Sequence, residues 1–149
     1  MTTRNDAVDA LLTVLGRATW GSPAVGFGVK TRRNLSETQM ATVGSPGLAL
    51  MVHHGAYDRQ ALNIPPRRTI TVAAMVYVSV GSDVTVNPDA LLNDIEDALN
   101  TIMKPDSPTG FCTLGGKVPQ CGFRGEMLRA PGEKTGYGLM VLPIDIVLP

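Results

Sequence analysis

Hydrophobic residues occupy every second position from Ile70 to Val80, and several of the positions between them are apolar as well. One face of this segment carries Ile70, Val72, Ala74, Val76, Val78 and Val80, and the other carries Ala73, Met75 and Tyr77. A period of two residues predicts a β-strand, which begins near Arg67. Because both faces are apolar, we predict a central strand that is covered on both sides.

A helical period follows this strand and predicts an amphipathic helix. Asn87 suits the N-cap, Pro88 suits the first helical position because no partner is needed for its missing N–H, and Asp89 complements the helix dipole. We expect the apolar stripe of this helix to pack across the sheet. The stripe consists of Leu91, Leu92, Ile95, Ala98, Leu99 and Ile102.

A second amphipathic helix is predicted near the N-terminus, from about Asn5 to Ala18, with Asn5 or Asp6 as its cap. Its apolar positions are Val8, Leu11, Leu12 and Leu15. Trp20 follows this helix beside a glycine, and we expect its large ring to close one edge of the core.

Further strands are predicted near residues 24–32, 47–54, 121–129 and 137–148, and the last two are expected to pair antiparallel. Pro143 has no N–H to donate to a ladder, so it should mark an edge position or the bent end of a pairing. These elements predict an α+β fold. It is a single domain over residues 1–149, with a mixed, mostly antiparallel sheet and two amphipathic helices packed on it.

Composition excludes several classes of protein. The chain has 149 residues, of which 44% are hydrophobic and 17% charged, as in an ordinary folded domain. Thirteen basic residues balance thirteen acidic ones, so no overall field attracts nucleic acid or an anionic membrane. No run approaches the ~20 apolar residues that cross a bilayer, and no signal-peptide pattern opens the chain. We therefore expect synthesis in the cytoplasm and no membrane partner.

The sequence offers little chemistry for catalysis or metal binding. His53 and His54 are adjacent on a predicted strand and point to opposite faces, so they cannot readily chelate one metal together. Cys112 and Cys121 lack the CxxC spacing of zinc sites, and we interpret them as reduced packing residues. The glycine-rich pieces complete neither GxGxxG nor a P-loop. We assign no catalytic, cofactor-binding or metal-binding residue and predict that the protein is not an enzyme.

Three consecutive pieces of the chain resemble a known family. They are Pro-Pro-Arg-Arg-Thr-Ile followed by the valine-rich strand, Asn87-Pro88 followed by the Leu-Leu-Asn-Asp-Ile-Glu-Asp-Ala-Leu helix, and Leu114-Gly115-Gly116-Lys117-Val118. In this order they resemble the tail terminator, or tail-completion, proteins of long-tailed bacteriophages. The resemblance covers the last 85 residues, 65–149, and extends to the first 64 only in the layout of elements.

The resemblance implies a structural virion protein that forms a ring, by expectation a hexamer, and caps the completed tail tube. The implied partners are other copies of this chain, the tail tube protein and a head–tail connector or neck protein. DNA would pass through the lumen without sequence-specific binding. The implied location is the virion, at the joint of tail and neck. Identical subunits in such a ring meet through a heterologous interface, in which one patch contacts a different patch on the neighbour.

Two parts of the sequence are candidates for these contacts, because loops held by prolines or glycines are often where partners bind. They are the segment from Gly47 to Pro66 and the Gly-Gly turn that follows the second helix. The candidate contact residues are His53, His54, Tyr57, Pro65, Pro66, Gly115 and Gly116.

Two other functions fit the same residues. One is a connector or neck protein of the same virion, one layer away from the tube. The other is a small ligand-binding or hydrolytic α/β domain, which would need convergent polar groups in a pocket. The candidates for that pocket are His53, His54, Asp58 and Cys121.

Overall fold

A computed structural model describes residues 3–33, 35–57, 68–83, 85–108, 110–131 and 136–148. Within these residues the chain forms three helices and eight strands. In chain order they are α1 (Arg4–Leu15), β1 (Thr19–Trp20), β2 (Val25–Gly26), β3 (Val29–Thr31), α2 (Glu37–Met40), β4 (Gly47–Tyr57), β5 (Arg68–Ser79), α3 (Asp89–Ile102), β6 (Gln120–Phe123), β7 (Leu128–Pro131) and β8 (Tyr137–Val147).

Six of the described strands form one mixed sheet in the order β3-β4-β5-β8-β6, and β7 pairs with β8 beside β6. The pairing of β3 with β4 is parallel, and the other described pairings are antiparallel. β5 lies between β4 and β8 and pairs with β8 from Thr69 to Ser79. The predicted α+β class and the central position of this strand are confirmed.

One face of the sheet, which we call the inner face, carries the core. Alternate residues of β5 from Ile70 to Val78 are buried there, as predicted from their period of two. Both α1 and α3 contribute their apolar stripes to the same core cluster. The fully buried residues of these two helices are Ala7, Val8, Leu11, Leu15, Leu92, Ile95 and Leu99. The two predicted amphipathic helices therefore share one face of the sheet.

On the opposite, outer face, the helices of the described residues pack at one end only. Met40 of α2 is buried there, and its backbone carbonyl lies so close to Gly47 that an added Cβ would collide with it. The outer-face residues Ala73, Met75 and Tyr77 of β5 are intermediate in exposure, and Tyr77 lies opposite Gly47 at the end where α2 packs. The inner face of this strand is therefore buried as predicted, whereas the described residues leave its outer face partly exposed. Alternation of apolar residues identifies two apolar faces, but it does not reveal whether the chain supplies a layer for each.

The helix ends differ partly from the sequence prediction. Thr3 caps α1, since its Oγ1 accepts a hydrogen bond from Asp6 N at 3.2 Å and its N donates to Asp6 Oδ2 at 3.1 Å. The predicted caps, Asn5 and Asp6, lie inside the helix, which ends at Leu15 and not at residue 18. At the start of α3, Asn87 Oδ1 accepts a hydrogen bond from Asp89 N at 2.9 Å. Pro88, between these two residues, already has helical dihedral angles, as predicted.

Some predicted strands are divided. The segment 24–32 forms β2 and β3, and the segment 121–129 forms β6 and the start of β7, with Gly125 at φ +67° between them. β6 and β7 pair with different parts of β8, and Pro143 lies between those parts. Its carbonyl accepts from Arg124 N at 3.0 Å, and the predicted local edge position suits its missing N–H.

Trp20 is buried in β1 and packs edge-to-face against Phe27, with ring centroids 4.9 Å apart. The expectation that this ring closes an edge of the core is confirmed.

Candidate functional site

The predicted contact residues fall on two separate parts of the fold. His53, His54 and Tyr57 lie on β4, whose register with β5 shifts between Val52 and His54. Their side chains lie outside what the structure describes. The predicted residues Pro65 and Pro66, and Asp58 of the alternative pocket, also lie outside the described residues.

Gly115 and Gly116 lie in the connection between α3 and β6. Both have positive φ, +74° and +88°, and no described atom lies within 4 Å of a Cβ built on either. Positive φ is the conformation that only glycine adopts without strain, which explains the Gly-Gly pair. We call this connection, residues 104–118, the Phe111 loop; residue 109 is not described.

Asp106 organises the Phe111 loop. Its Oδ1 accepts from Thr113 N at 2.7 Å and from Thr113 Oγ1 at 2.8 Å, and its Oδ2 accepts from Gly115 N at 3.0 Å. These hydrogen bonds, above all the one from Gly115, lower the pKa of Asp106 below its ordinary value. One carboxylate therefore holds two points of the loop that are seven and nine residues away.

The same hydrogen-bonded framework presents an aromatic side chain. The carbonyl of Phe111 accepts from Ser107 Oγ at 2.9 Å and from Asp106 N at 3.3 Å. The next residue, Cys112, is buried, and its backbone forms an isolated antiparallel β-bridge with Cys121 of β6. The Phe111 side chain nevertheless remains 45% exposed. The loop is thus ordered by its own contacts while its largest apolar side chain faces partly into solvent.

A cleft lies at the opposite end of α3. Its volume is about 510 Å³, and residues before α3, at the end of β7 and at the start of β8 line it. Its apolar lining includes Val86, which is 46% exposed, together with Pro88 and Tyr137. We call it the α3 cleft. At 510 Å³ it falls within the range of pockets that bind ligands or inserted side chains.

The mouth of the α3 cleft is acidic. Asp83 and Asp89 line it and both are exposed. Hydrogen bonds from Thr85 N and Oγ1, at 2.9 and 2.8 Å, lower the pKa of Asp83, so this carboxylate is charged at neutral pH. The sequence has no lysine or arginine from Thr69 to Met103. Among the described residues that line the cleft, Arg129 is the only basic one.

Arg129 also lines the α3 cleft, but its charge is engaged. Its Nη2 donates to Glu96 Oε2 of α3 at 2.8 Å, and both side chains are about three-quarters buried. Its Nε is buried without an acceptor among the described residues. This ion pair joins β7 to α3 and fixes the wall of the cleft.

The outer face of the sheet, which the described residues cover only in part, is a third surface. Met75, Val141 and Leu128 lie opposite one another across β5, β8 and β7, beside a row formed by Met51, Ala73 and Pro143. Leu128 is 61% exposed. At one end the face becomes polar, where Asp145 accepts from Thr71 Oγ1 at 2.8 Å and pairs with Arg124 at 3.2 Å. Such an uncharged patch on a sheet is a surface that partners can cover.

The residues of the alternative pocket are not brought together on the backbone. Cys121 is on β6, and His53 and His54 are on β4, with β5 and β8 between them; three strand spacings are about 14 Å. Cys121 is only 4% exposed, and burial, followed by the nearby Cys112, raises the pKa of its thiol. A protonated buried thiol is a poor nucleophile. Both cysteines are free core residues, in line with the packing role predicted for them.

No group of three or more His, Cys, Asp or Glu side chains among the described residues could hold a metal ion. No helix formed by the described residues is long and apolar enough to cross a membrane.

Sequence reasoning found Gly115 and Gly116 but missed the aromatic side chain that their loop presents. It also missed the α3 cleft. The exposure of Phe111 has no local sequence signal, because an aromatic residue beside a buried cysteine is equally typical of a core. The absence of basic residues from Thr69 to Met103 is a signal that could have directed attention to the cleft.

Comparison with protein-family models found none that matches this chain, and comparison with curated proteins found no similar sequence.

Proposed function

We propose that this protein is a structural virion protein that closes the completed tail tube of a long-tailed bacteriophage as a ring and forms the joint to the head or neck. The observation that carries the proposal is the Phe111 loop, which keeps an aromatic side chain exposed on a hydrogen-bonded framework. A loop ordered before binding loses little entropy when a partner covers it. That is the property expected of an assembly contact.

The order of elements supports the resemblance from which the proposal comes. The three quoted pieces of sequence correspond to successive parts of the fold: the first leads into β5, the second forms α3, and the third closes the Phe111 loop. A hairpin-like pair, β7 and β8, follows them and lies against the same sheet. The quoted pieces therefore belong to consecutive elements of one core and are not isolated peptides.

The partly exposed outer face supports an assembly role in a second way. Met75, Val141 and Leu128 form an apolar row without charge on the side of the sheet where the described helices α1 and α3 do not pack. In a ring, such a face would lie against a neighbouring subunit or against the tube. Burying it there would supply part of the association free energy, at roughly 25 cal/mol per Å² of apolar surface.

The proposed action is geometric. A ring seated on the last layer of tube subunits covers the surface to which the next layer would bind, and growth stops. The opposite face of the ring then offers a new surface to the connector or neck protein. Genomic DNA passes through the central hole, and the balance of thirteen basic and thirteen acidic residues avoids a strong attraction that would hold it there.

A connector or neck protein is the second candidate, because the same exposed surfaces suit a ring that sits one layer away from the tube. The two differ in which isolated partner the protein binds. A ligand-binding domain is the third candidate, and it rests on the 510 Å³ volume of the α3 cleft.

The solution mass and the binding of tube ends test the proposal. Light scattering after size exclusion, over a range of concentrations, should give a species near six times the 15.8 kDa monomer, and negative-stain images should show rings with a central hole. Tubes polymerised from the tail tube protein should stop growing when this protein is added. Images should show the added protein at one end of each tube only. Binding to a connector ring but not to tube ends would favour the neck protein. Binding to neither would contradict both.

A further inference from the structure

The two ends of α3 carry complementary surfaces. The Phe111 loop follows the C-terminal end of α3, and the α3 cleft surrounds its N-terminal end. The helix has 14 residues, which is about 21 Å at 1.5 Å per residue. The loop of one copy therefore cannot enter its own cleft, but it can enter the cleft of another.

The charges of the two surfaces are opposite. Lys104 and Lys117 lie near the two ends of the Phe111 loop, both are exposed, and within the described part of the chain neither forms a salt bridge. The carboxylate of Asp106 in the same loop accepts hydrogen bonds from Thr113 and Gly115. The mouth of the cleft, in contrast, carries Asp83 and Asp89.

The shapes are also compatible. An exposed phenylalanine needs an apolar pocket, and Val86, Pro88 and Tyr137 supply apolar walls in a cleft of about 510 Å³. Aromatic side chains that fill pockets are the residues that most often dominate an interface. The exposed Val86 and Phe111 would thus be covered by the same contact.

From these observations we infer that two copies of this chain associate head to tail, with the Phe111 loop of one inserted into the α3 cleft of the next. This inference deepens the proposed function, on which it rests, by naming the two patches of the heterologous contact. The Phe111 loop, which is the knob of this contact, and the α3 cleft lie at opposite ends of one helix. Each copy therefore has one free knob and one free cleft. Copies therefore add in one direction, and the chain of copies closes if the rotation per copy allows a ring.

The contact is small. One loop tip in one cleft covers less than the roughly 800 Å² per partner of a stable interface. Two isolated copies should therefore associate weakly, and ring closure or the tube end should add the remaining stability. A test has to detect weak, directional association.

A disulfide trap can detect such an association. The variant Pro108→Cys places a thiol in the Phe111 loop, and the variant Val86→Cys places a thiol in the α3 cleft. The two variants are mixed and oxidised mildly. We expect this mixed dimer to form at least tenfold faster than the dimer between Pro108→Cys and the matched control Val25→Cys, a position that is 42% exposed on β2 and belongs neither to the Phe111 loop nor to the lining of the α3 cleft. The native cysteines are buried and common to all samples. Equal rates for the cleft variant and the control variant would overturn the inference. They would do so even if the wild-type protein is monomeric at every concentration.

Complementation tests the direction of the contact. Phe111→Asp removes the knob and Val86→Arg blocks the cleft, and each variant alone should self-associate about thirtyfold more weakly than the wild type. Mixed together, they retain one intact contact and should form a dimer but nothing larger. Both sites are exposed, so both variants should unfold at the wild-type temperature. Larger assemblies from the mixture, or wild-type behaviour of either variant, would overturn the inference.

An exchange of charges tests whether Lys104 of the Phe111 loop pairs with Asp89 at the mouth of the α3 cleft. Lys104→Glu should weaken association severalfold through the on-rate, and Lys104→Glu combined with Asp89→Lys in the same chain should restore it. No recovery in the double variant would contradict this pairing of loop and cleft.

The outcomes separate the two proposals. If Phe111→Asp and Val86→Arg still assemble and cap tube ends, the knob-and-cleft contact is wrong and the tail function stands. If the trap and the complementation succeed but the wild type never binds tube ends, the contact stands and the tail function is wrong.

Discussion

Asp106 Oδ2 accepts a hydrogen bond from the backbone N–H of Gly115 at 3.0 Å, nine residues farther along the chain. Gly115 can turn its N–H toward this carboxylate because its φ is +74°. The Gly-Gly turn thus contributes to the scaffold of the Phe111 loop. Its part in any contact is to support the side chain that the loop presents.

Replacement of Asp106 should loosen this loop without unfolding the domain. In Asp106→Asn the uncharged amide keeps one acceptor oxygen, so the hydrogen bonds to Gly115 and Thr113 cannot all be retained. We expect faster amide hydrogen exchange at Thr113 and Gly115, measured by NMR, and a global unfolding free energy close to that of the wild type. The matched control is Asp97→Asn on the exposed side of α3. Unchanged exchange at both amides would show that the carboxylate does not order the loop.

The same carboxylate makes the order of the loop depend on pH. Folding lowers the pKa of Asp106 below its ordinary value of 3.8, so the hydrogen-bonded carboxylate stabilises the folded loop above that pH. This contribution is lost as the pH falls through the lowered pKa. We expect NMR titration of the side-chain carboxyl to give a pKa below 3.8 and the Thr113 amide to shift with it. A pKa at or above 3.8 would contradict the hydrogen bonding described for this loop.

The ion pair between Glu96 and Arg129 gives a stability prediction. Glu96→Ala leaves the guanidinium three-quarters buried without its partner, and it should lower the free energy of unfolding by about 1 kcal/mol. Asp94→Ala, an exposed acid on the same helix, should change it by less than about 0.5 kcal/mol.

Arg129→Met should cost less than Glu96→Ala, because it also removes the buried Nε that has no acceptor among the described residues. Urea denaturation of the three variants measures these differences. A larger loss for Arg129→Met would mean that packing of the arginine stem, and not the ion pair, holds β7 to α3.

The elements that sequence predicted best are the long and strongly periodic ones. β5 and α3 each extend over a dozen or more residues, so their patterns of two and 3.6 residues are unambiguous. The short α2 was missed, although Ser36 and Gln39 form the capping box that marks its start. The cap of α1 was placed too far along the chain, because Thr3 with Asp6 three residues later is a less familiar form of the same signal.

The candidate surfaces were harder to predict because they depend on contacts between distant parts of the chain. The α3 cleft exists only because β7 and β8 bring Arg129 and Tyr137 beside the residues that precede α3. The exposure of Phe111 depends on the pairing of Cys112 with Cys121 and on the hydrogen bonds of Asp106. Neither arrangement has a local pattern, whereas the positive φ of Gly115 and Gly116 does.

The last prediction concerns the packing of α2 on the outer face. Gly47 lies against the backbone carbonyl of Met40, and a Cβ at this position would meet that carbonyl and not a flexible side chain. Gly47→Ala should therefore displace α2 and lower the free energy of unfolding by about 1–3 kcal/mol, the range for overpacking a closely packed site. The matched control is Gly122→Ala on β6, where no described atom lies within 4 Å of the built Cβ. This control should be neutral or slightly stabilising, because alanine restricts the unfolded chain more than glycine does. Thermal and urea unfolding measure both variants. If the two variants are equally stable, the close contact between Gly47 and Met40 does not hold α2 on the sheet.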